Sequence, residues 1–160
     1  MKKNNEEKTL IIMKPDCVMR GLLGEILIRF ERKGLKIVGL KMVELGDVIL
    51  EEHYSHHVDK PFFHSLKNFM QSAPAVVMAV SGYRAINAVR LIVGPTKGYE
   101  ADAGSIRGDF SMSTQTNIVH ASDSKESAEK EIPRFFKENE LFDYNRADYE
   151  FVYGEEDREG

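Results

Sequence analysis

Three side chains in the C-terminal third have the types and spacing for phosphoryl chemistry: His120, Ser122 and Glu131, within "NIVHASDSKESAEKE" (117–131). A neutral imidazole is a nucleophile that can take a phosphoryl group on one nitrogen while a carboxylate holds the N–H on the other. On an extended segment, His120 and Ser122 point to one side and the small Ala121 to the other. Glu131 lies three residues after Ala128 and four before Phe135, beside the stripe Ala128, Ile132 and Phe135. A carboxylate bordering a buried face needs a partner. A Ser-His-Asp relay fits poorly, because residues two or three apart in an extended segment cannot easily form one, and no nucleophile elbow is present. The plain alternative is a strand running into a capped helix, with Glu131 on its surface. Spacing alone leaves both readings open.

If the chain handles phosphate, side chains must do it. Neither G-x-x-x-x-G-K-[ST] nor a strand-linked G-x-G-x-x-G occurs, so backbone cradles of those kinds are absent. Lys14, Arg90, Thr96 and Arg107 are the candidates. Singly, each is an ordinary surface side chain. Together, cationic and hydroxyl donors that converge from a strand end, a helix and a long loop are what a polyphosphate needs when no P-loop is available.

Four histidines crowd one region: His53, His56, His57 and His64. His53 and His57 have the i, i+4 spacing of a helical metal pair, but H-E-x-x-H is absent and no carboxylate is placed as a third ligand. Zinc is one reading and a polar helix surface the other, and no metal ligand is assigned. Tyr54 and His57, three apart, can face one side of that helix. Just beyond, "KPFFHSL" offers Phe62, Phe63 and Leu66, as core or as an apolar pair at a cleft where a base stacks.

These groups must be positioned by a simple series of elements. "TLIIM" (9–13) reads as a buried strand stopped by Pro15, and 18–34 as a helix capped by Gly34. Strands are expected at 35–45, 75–80 and 117–121, and helices at 47–58, 61–71 and 82–94. A last helix follows Asp123, with Asp123 and Glu126 spaced as a capping box. That order fits an α+β, ferredoxin-like split βαβ sandwich: a four-stranded antiparallel sheet with helices packed on it. Residues 94–116 show no helical period. A loop of that length is uncommon unless it is functional or disordered, and Tyr99 and Phe110 look like anchors, so an ordered binding loop is expected.

The 160 residues suit one domain spanning 1–160, with 1–8 loose and the acidic end 154–160 frayed. A net charge of −4 argues against general adhesion to nucleic acid or an anionic membrane. Cys17 is the single cysteine, which excludes an intrachain disulfide and a thiolate cluster. The start of the chain has no signal-peptide pattern, and no apolar run approaches the roughly 18 residues needed to span a bilayer, so a cytoplasmic location is the default.

"NIVHASDS" resembles the active-site signature of the nucleoside diphosphate kinases, N-x-x-H-[GA]-S-D. "TLIIMKPD", "YSHHVDKPFFHSL", "SGYRAINAVR", "GSIRGDF" and "SAEKEI" follow that family's order and spacing, covering nearly all of 8–136. The resemblance implies transfer of a γ-phosphate between nucleoside tri- and diphosphates such as ATP and GTP by a ping-pong route. It makes His120 the phosphoryl acceptor, oriented by Glu131 and Ser122. Lys14 and Asn117 match groups that bind ribose hydroxyls and nearby phosphate oxygens. Phe62, with Leu66 beside it, matches the ring on which the base stacks. Tyr54, His57, Arg90, Thr96 and Arg107 match groups around the phosphates. Mg2+ would arrive with the nucleotide, held by phosphate oxygens and water.

Two departures from the family pattern stand out. Many members carry a proline near the position of Gly98 or Gly104, and "KGYEADAGS" has none, which implies a more mobile loop and a weaker assembly. Pro133 follows Glu131 by two residues and should break or kink its helix. The family assembles as hexamers or tetramers, and the length of chain past residue 140 favours the homo-hexamer over the homo-tetramer. A catalytically silent nucleotide-binding module on the same fold is the competing class.

Overall fold

The computed structural model describes residues 6–159. Strand β1 (Glu6–Met13) is followed by helices α1 (Pro15–Met19) and α2 (Leu23–Arg32), then β2 (Lys36–Val43), α3 (Asp47–His53) and α4 (Phe63–Met70). Next come β3 (Ala75–Tyr83), α5 (Ala85–Val93), α6 (Ile106–Phe110), β4 (Val119–Ala121) and α7 (Lys125–Phe135). Two short helices, α8 (Tyr149–Val152) and α9 (Glu155–Glu159), end the series. The sheet is four-stranded in the order β2-β3-β1-β4, and each neighbouring pair is antiparallel. The expected α+β, ferredoxin-like sheet is therefore what forms.

The apolar strands are buried on both faces, which explains why they lack a polar alternation. Leu10, Ile12, Val77 and Ala79 pack against Leu50, Phe63, Leu66 and Met70 of α3 and α4 and against Ala128, Ile132 and Phe135 of α7. Ile11, Met13, Met78 and Val80 face the other way, onto Ile26 and Phe30 of α2 and Ala85, Val89 and Val93 of α5. Each buried side chain of this size stabilises the fold by about 1.5–3 kcal/mol. Central β1 thereby ties both layers together and ends at Lys14, beside the start of β4.

The structure differs from the sequence reading in several local features. The helix expected over 18–34 is two helices, divided at Gly21, whose φ of 66° a helix cannot carry. The 47–58 helix stops at His53 and continues as a single 3-10 turn over Ser55–His57. The 94–116 segment is ordered but contains a helix, α6, too short to show a period. Its folding depends on close approach: a Cβ on Gly108 would sit 1.9 Å from the Asp102 carbonyl oxygen. Phe110 is an anchor, packed on the α2–α5 layer beneath the Arg29 guanidinium, whereas Tyr99 is exposed.

Two expectations about α7 are corrected. Its cap is Ser124, which accepts from the Ser127 N–H, rather than an Asp123–Glu126 box; Asp123 instead accepts from the Ser127 hydroxyl, and Glu126 pairs with Lys130. Pro133 does not break the helix, which runs on to Phe135. Its missing N–H would have bonded the carbonyl of Glu129, an exposed residue where water can take that place. At the C-terminal end, Glu155–Glu159 form α9 where a frayed tail was expected, and residues 1–5 of the expected loose start lie outside the described residues.

Candidate active site

Residue His120 sits on β4 opposite Ile12 of β1, and Ser122 continues the pairing through its N–H to the Leu10 carbonyl. Both side chains meet one carboxylate oxygen. Glu131 Oε2 lies 3.0 Å from His120 Nε2 and accepts from Ser122 Oγ at 2.7 Å. Since an ionised carboxylate only accepts, Nε2 carries the ring proton and the Nδ1 lone pair is left free. Burial opposes ionisation of Glu131, but the bonds from His120 and Ser122 hold it below the usual carboxylate range. A plain surface glutamate is thus not what the fold makes of Glu131, despite Pro133.

The segment before His120 is held from both sides. The Arg107 guanidinium, itself buried, donates to the carbonyls of Gly94, Asn117 and Val119. Burial, then the charge of Arg90, lowers its pKa to about 10. Asn117 accepts from Lys14 Nζ at 2.7 Å and donates to the Thr96 and Thr114 carbonyls. Lys14 is also buried. Desolvation and the facing Arg107 pull its pKa down to about 8, while Asp16 raises it.

The rest of the cleft is looser. Phe62, at the start of α4, keeps 46% of its surface exposed above the buried Leu66. The His57 ring meets Phe62 edge-on at 5.1 Å and lies nearly parallel to Tyr54 at 6.4 Å. Tyr54 is buried, its hydroxyl lacks a partner among the described residues, and burial pushes its pKa up. Arg90, in the last turn of α5, and Thr96 in the following loop are exposed. Together with Lys14, Arg107, Asn117, His120 and Glu131 they line one cleft of about 890 Å3, and Ser122 lies buried behind it. The residues selected from sequence for phosphate, base and nucleophile therefore converge in space.

A model of the family described as nucleoside diphosphate kinase matches residues 7–141. The chain belongs to that family. A nucleoside diphosphate kinase from Parabacteroides distasonis is 52% identical over 151 residues, 94% of this chain and 99% of its own length. The solved nucleoside diphosphate kinase of Halobacterium salinarum, in complex with CDP, matches with a TM-score of 0.90 at 41% identity, over 92% of this chain and 99% of that one. A transition-state mimic of the Borrelia burgdorferi nucleoside-diphosphate kinase, with bound vanadate and ADP, matches at 0.84 and 37%, over 90% and 95%. The reaction of this kinase is that of its family, transfer of the γ-phosphate of a nucleoside triphosphate to a nucleoside diphosphate.

The cleft of this kinase also takes in Gln115, Lys130 and Arg134, which no local pattern marks, and His53, which the sequence offered only as half of a metal pair or as a surface histidine. His53 is the main correction. It is buried rather than on a polar surface, its ring edge-to-face with His120 at 4.6 Å, and Arg134 approaches its Nδ1 at 3.4 Å. The signal was available, because His53 lies three residues after Leu50 and shares its buried face. Burial, then the facing His120, lowers the pKa of His53 to about 3, so it stays neutral. Among the described residues, the group close enough to hold a metal is His53, His120 and Glu131, not His53 with His56 and His57. His56 and His64 are exposed, as expected.

Proposed function

We propose that His120 carries the phosphoryl group between two nucleotides in a ping-pong reaction. The Nδ1 lone pair attacks the γ-phosphorus, the bond to the β-phosphate oxygen breaks, and the nucleoside diphosphate leaves. A second nucleoside diphosphate then takes the group by the reverse path. Through both halves Glu131 keeps the Nε2 proton, so the lone pair is always on the nitrogen that reacts. Lys14, Arg90 and Arg107 supply fixed positive charge to a phosphoryl group whose charge spreads over its equatorial oxygens, with Tyr54, His57, Thr96 and Asn117 completing the donor set. The base stacks on Phe62 above Leu66, and stacking accepts any base because every base has a π-face.

What carries this reading is the bond from His120 Nε2 to Glu131 at the wall of a cationic cleft. A silent nucleotide-binding module would have no use for such a nucleophile. Among the described residues the cleft's only carboxylates are Asp123 and Glu131, and Glu131 is engaged, so the donor set fits Mg2+ brought by the nucleotide rather than a resident ion. Bound that way, Mg2+ neutralises phosphate charge. We further propose a homo-hexamer, with tetramer as the alternative that sedimentation would reveal. A cytoplasmic location is part of the same proposal, and no helix among the described residues is long and apolar enough to cross a membrane.

The test is incubation with labelled ATP and no second nucleotide. Wild type should gain acid-labile, base-stable phosphate, and His120→Ala should gain none. An unlabelled wild type ends the proposal.

A further inference from the structure

The backbone just before His120 is strained. Val119 N–H bonds back to the Asn117 carbonyl at 2.8 Å, closing a three-residue turn whose centre, Ile118, has φ = 75°. A β-branched residue in that region costs about 1–3 kcal/mol and persists only where its surroundings over-determine it. Here they do. Arg107 holds the carbonyls on either side, the Lys14 N–H donates to the Ile118 carbonyl at 2.9 Å, and Asp16 Oδ2 accepts from the Ile118 N–H at 3.0 Å.

Of these holders, Asp16 is the one whose chemistry exceeds its visible task. It is buried, and its second oxygen, Oδ1, has no hydrogen-bond partner among the described residues. A neutral amide oxygen would accept the same N–H without the cost of burying a charge. The charge answers to more than that N–H: it adds to burial in raising the pKa of the adjacent Cys17 thiol and, within the cleft, acts on the Lys14 ammonium two residues away.

We propose that Asp16 is a positioning residue for phosphoryl transfer, acting through the Ile118 turn that aims His120 and through the charge it presents to Lys14. This rests on the reading of His120 as the nucleophile. The two actions separate by substitution: Asp16→Asn keeps an oxygen for the Ile118 N–H and removes the charge, whereas Asp16→Ala removes both. The charged groups acting on Lys14 are Arg107, which favours loss of its proton, and Asp16, which opposes it.

The experiment is single-turnover labelling by ATP from pH 6 to 9.5 on wild type and both variants, with thermal unfolding measured in parallel. In wild type the second-order rate of labelling, read at ATP well below saturation, should fall as pH rises past about 8, where Lys14 of the unliganded site loses its charge. Asp16→Asn should unfold within a few degrees of wild type, begin this fall at lower pH, and be about tenfold slower at pH 8. Asp16→Ala should be about 10²-fold slower at every pH, as expected for a misaimed nucleophile. If the alanine variant does not fold, the asparagine variant carries the test alone. A pH profile of Asp16→Asn superimposable on a labelled wild type overturns this inference and spares the function. A wild type that takes no label overturns both.

Discussion

At the His120 end of the cleft, Ser122, Asn117, Lys14 and Arg107 are all buried and hydrogen-bonded, whereas at the Phe62 end the stacking ring is half exposed and touched mainly by another ring. The bonds at the first end join residues far apart in the chain, Lys14 to Asn117 and Leu10 to Ser122. Those at the second are mostly local, such as the Leu66 N–H to the Phe62 carbonyl, and its one long-range link among the described residues is the exposed Gln115 amide, long at 3.4 Å from Ser65 Oγ. The difference follows from the two tasks. Phosphoryl transfer fails when the reacting atoms are misplaced by about 1 Å, so its groups need tertiary bracing. Stacking of a base, the role proposed for Phe62, tolerates a shift in the plane of the ring, so that end needs no such bracing.

The largest damage should come from loss of the bracing itself. Arg107→Ala leaves the carbonyls of Gly94 and Val119 without their donor, takes one of two donors from the Asn117 carbonyl and removes a cation from the cleft. Unsatisfied buried groups cost roughly 1–3 kcal/mol each, so a loss of at least about 2 kcal/mol is expected, with no measurable phosphoenzyme. Chemical denaturation and labelling check it. A variant as stable as wild type would mean that the site is not braced as described. Next in size, Glu131→Gln should fold with little loss but slow phosphoenzyme formation about 10²-fold, since an amide can donate to Nε2 and so fix the wrong tautomer. Nucleotide KM should barely move.

How much of this was legible beforehand also divides along the two ends. Strand-borne and motif-borne residues were readable: apolar runs gave the sheet, and His120, Lys14, Arg107 and Asn117 stood in short local patterns. What escaped needed tertiary knowledge. His53 looked like one of a row of polar histidines because its burial depends on α7 packing over α3, as Phe135 and Arg134 against its ring show. Pro133 looked like a helix breaker because the rule ignores that its orphaned carbonyl lies on an exposed turn near the helix end. Nothing local marks Asp16, since its partner, the Ile118 N–H, lies 102 residues away. The 94–116 segment hid α6 because five residues are too few to carry a period.

A smaller effect separates the ends by pH. His53 has a folded pKa near 3 against an ordinary 6.5, so the folded state binds fewer protons than the unfolded one. Its contribution is complete above 6.5 and is lost as pH falls from 6.5 towards 3. By pH 4.5 the loss should be about 2–3 kcal/mol. His53→Phe, which keeps a ring and cannot be protonated, should flatten the dependence of unfolding midpoint on pH in this window. A variant that keeps the wild-type slope would place the acid sensitivity elsewhere.

The smallest expected effect belongs to the open end. Phe62→Ala removes the stacking platform but leaves Leu66 buried beneath and disturbs none of the hydrogen bonds around His120. Because the ring is already 46% exposed, its removal opens no sealed cavity, and the unfolding midpoint should hold within a few degrees. Base–aromatic stacking amounts to about 1–3 kcal/mol, so KM should rise by roughly 5- to 150-fold, and by similar factors for purine and pyrimidine nucleotides. The rate of labelling at saturating ATP should stay close to wild type, since the phosphates are gripped by other residues. A fall in that saturated rate as large as the change in KM would show that the base end also aims the γ-phosphate, and the two ends would then have to be treated as one device.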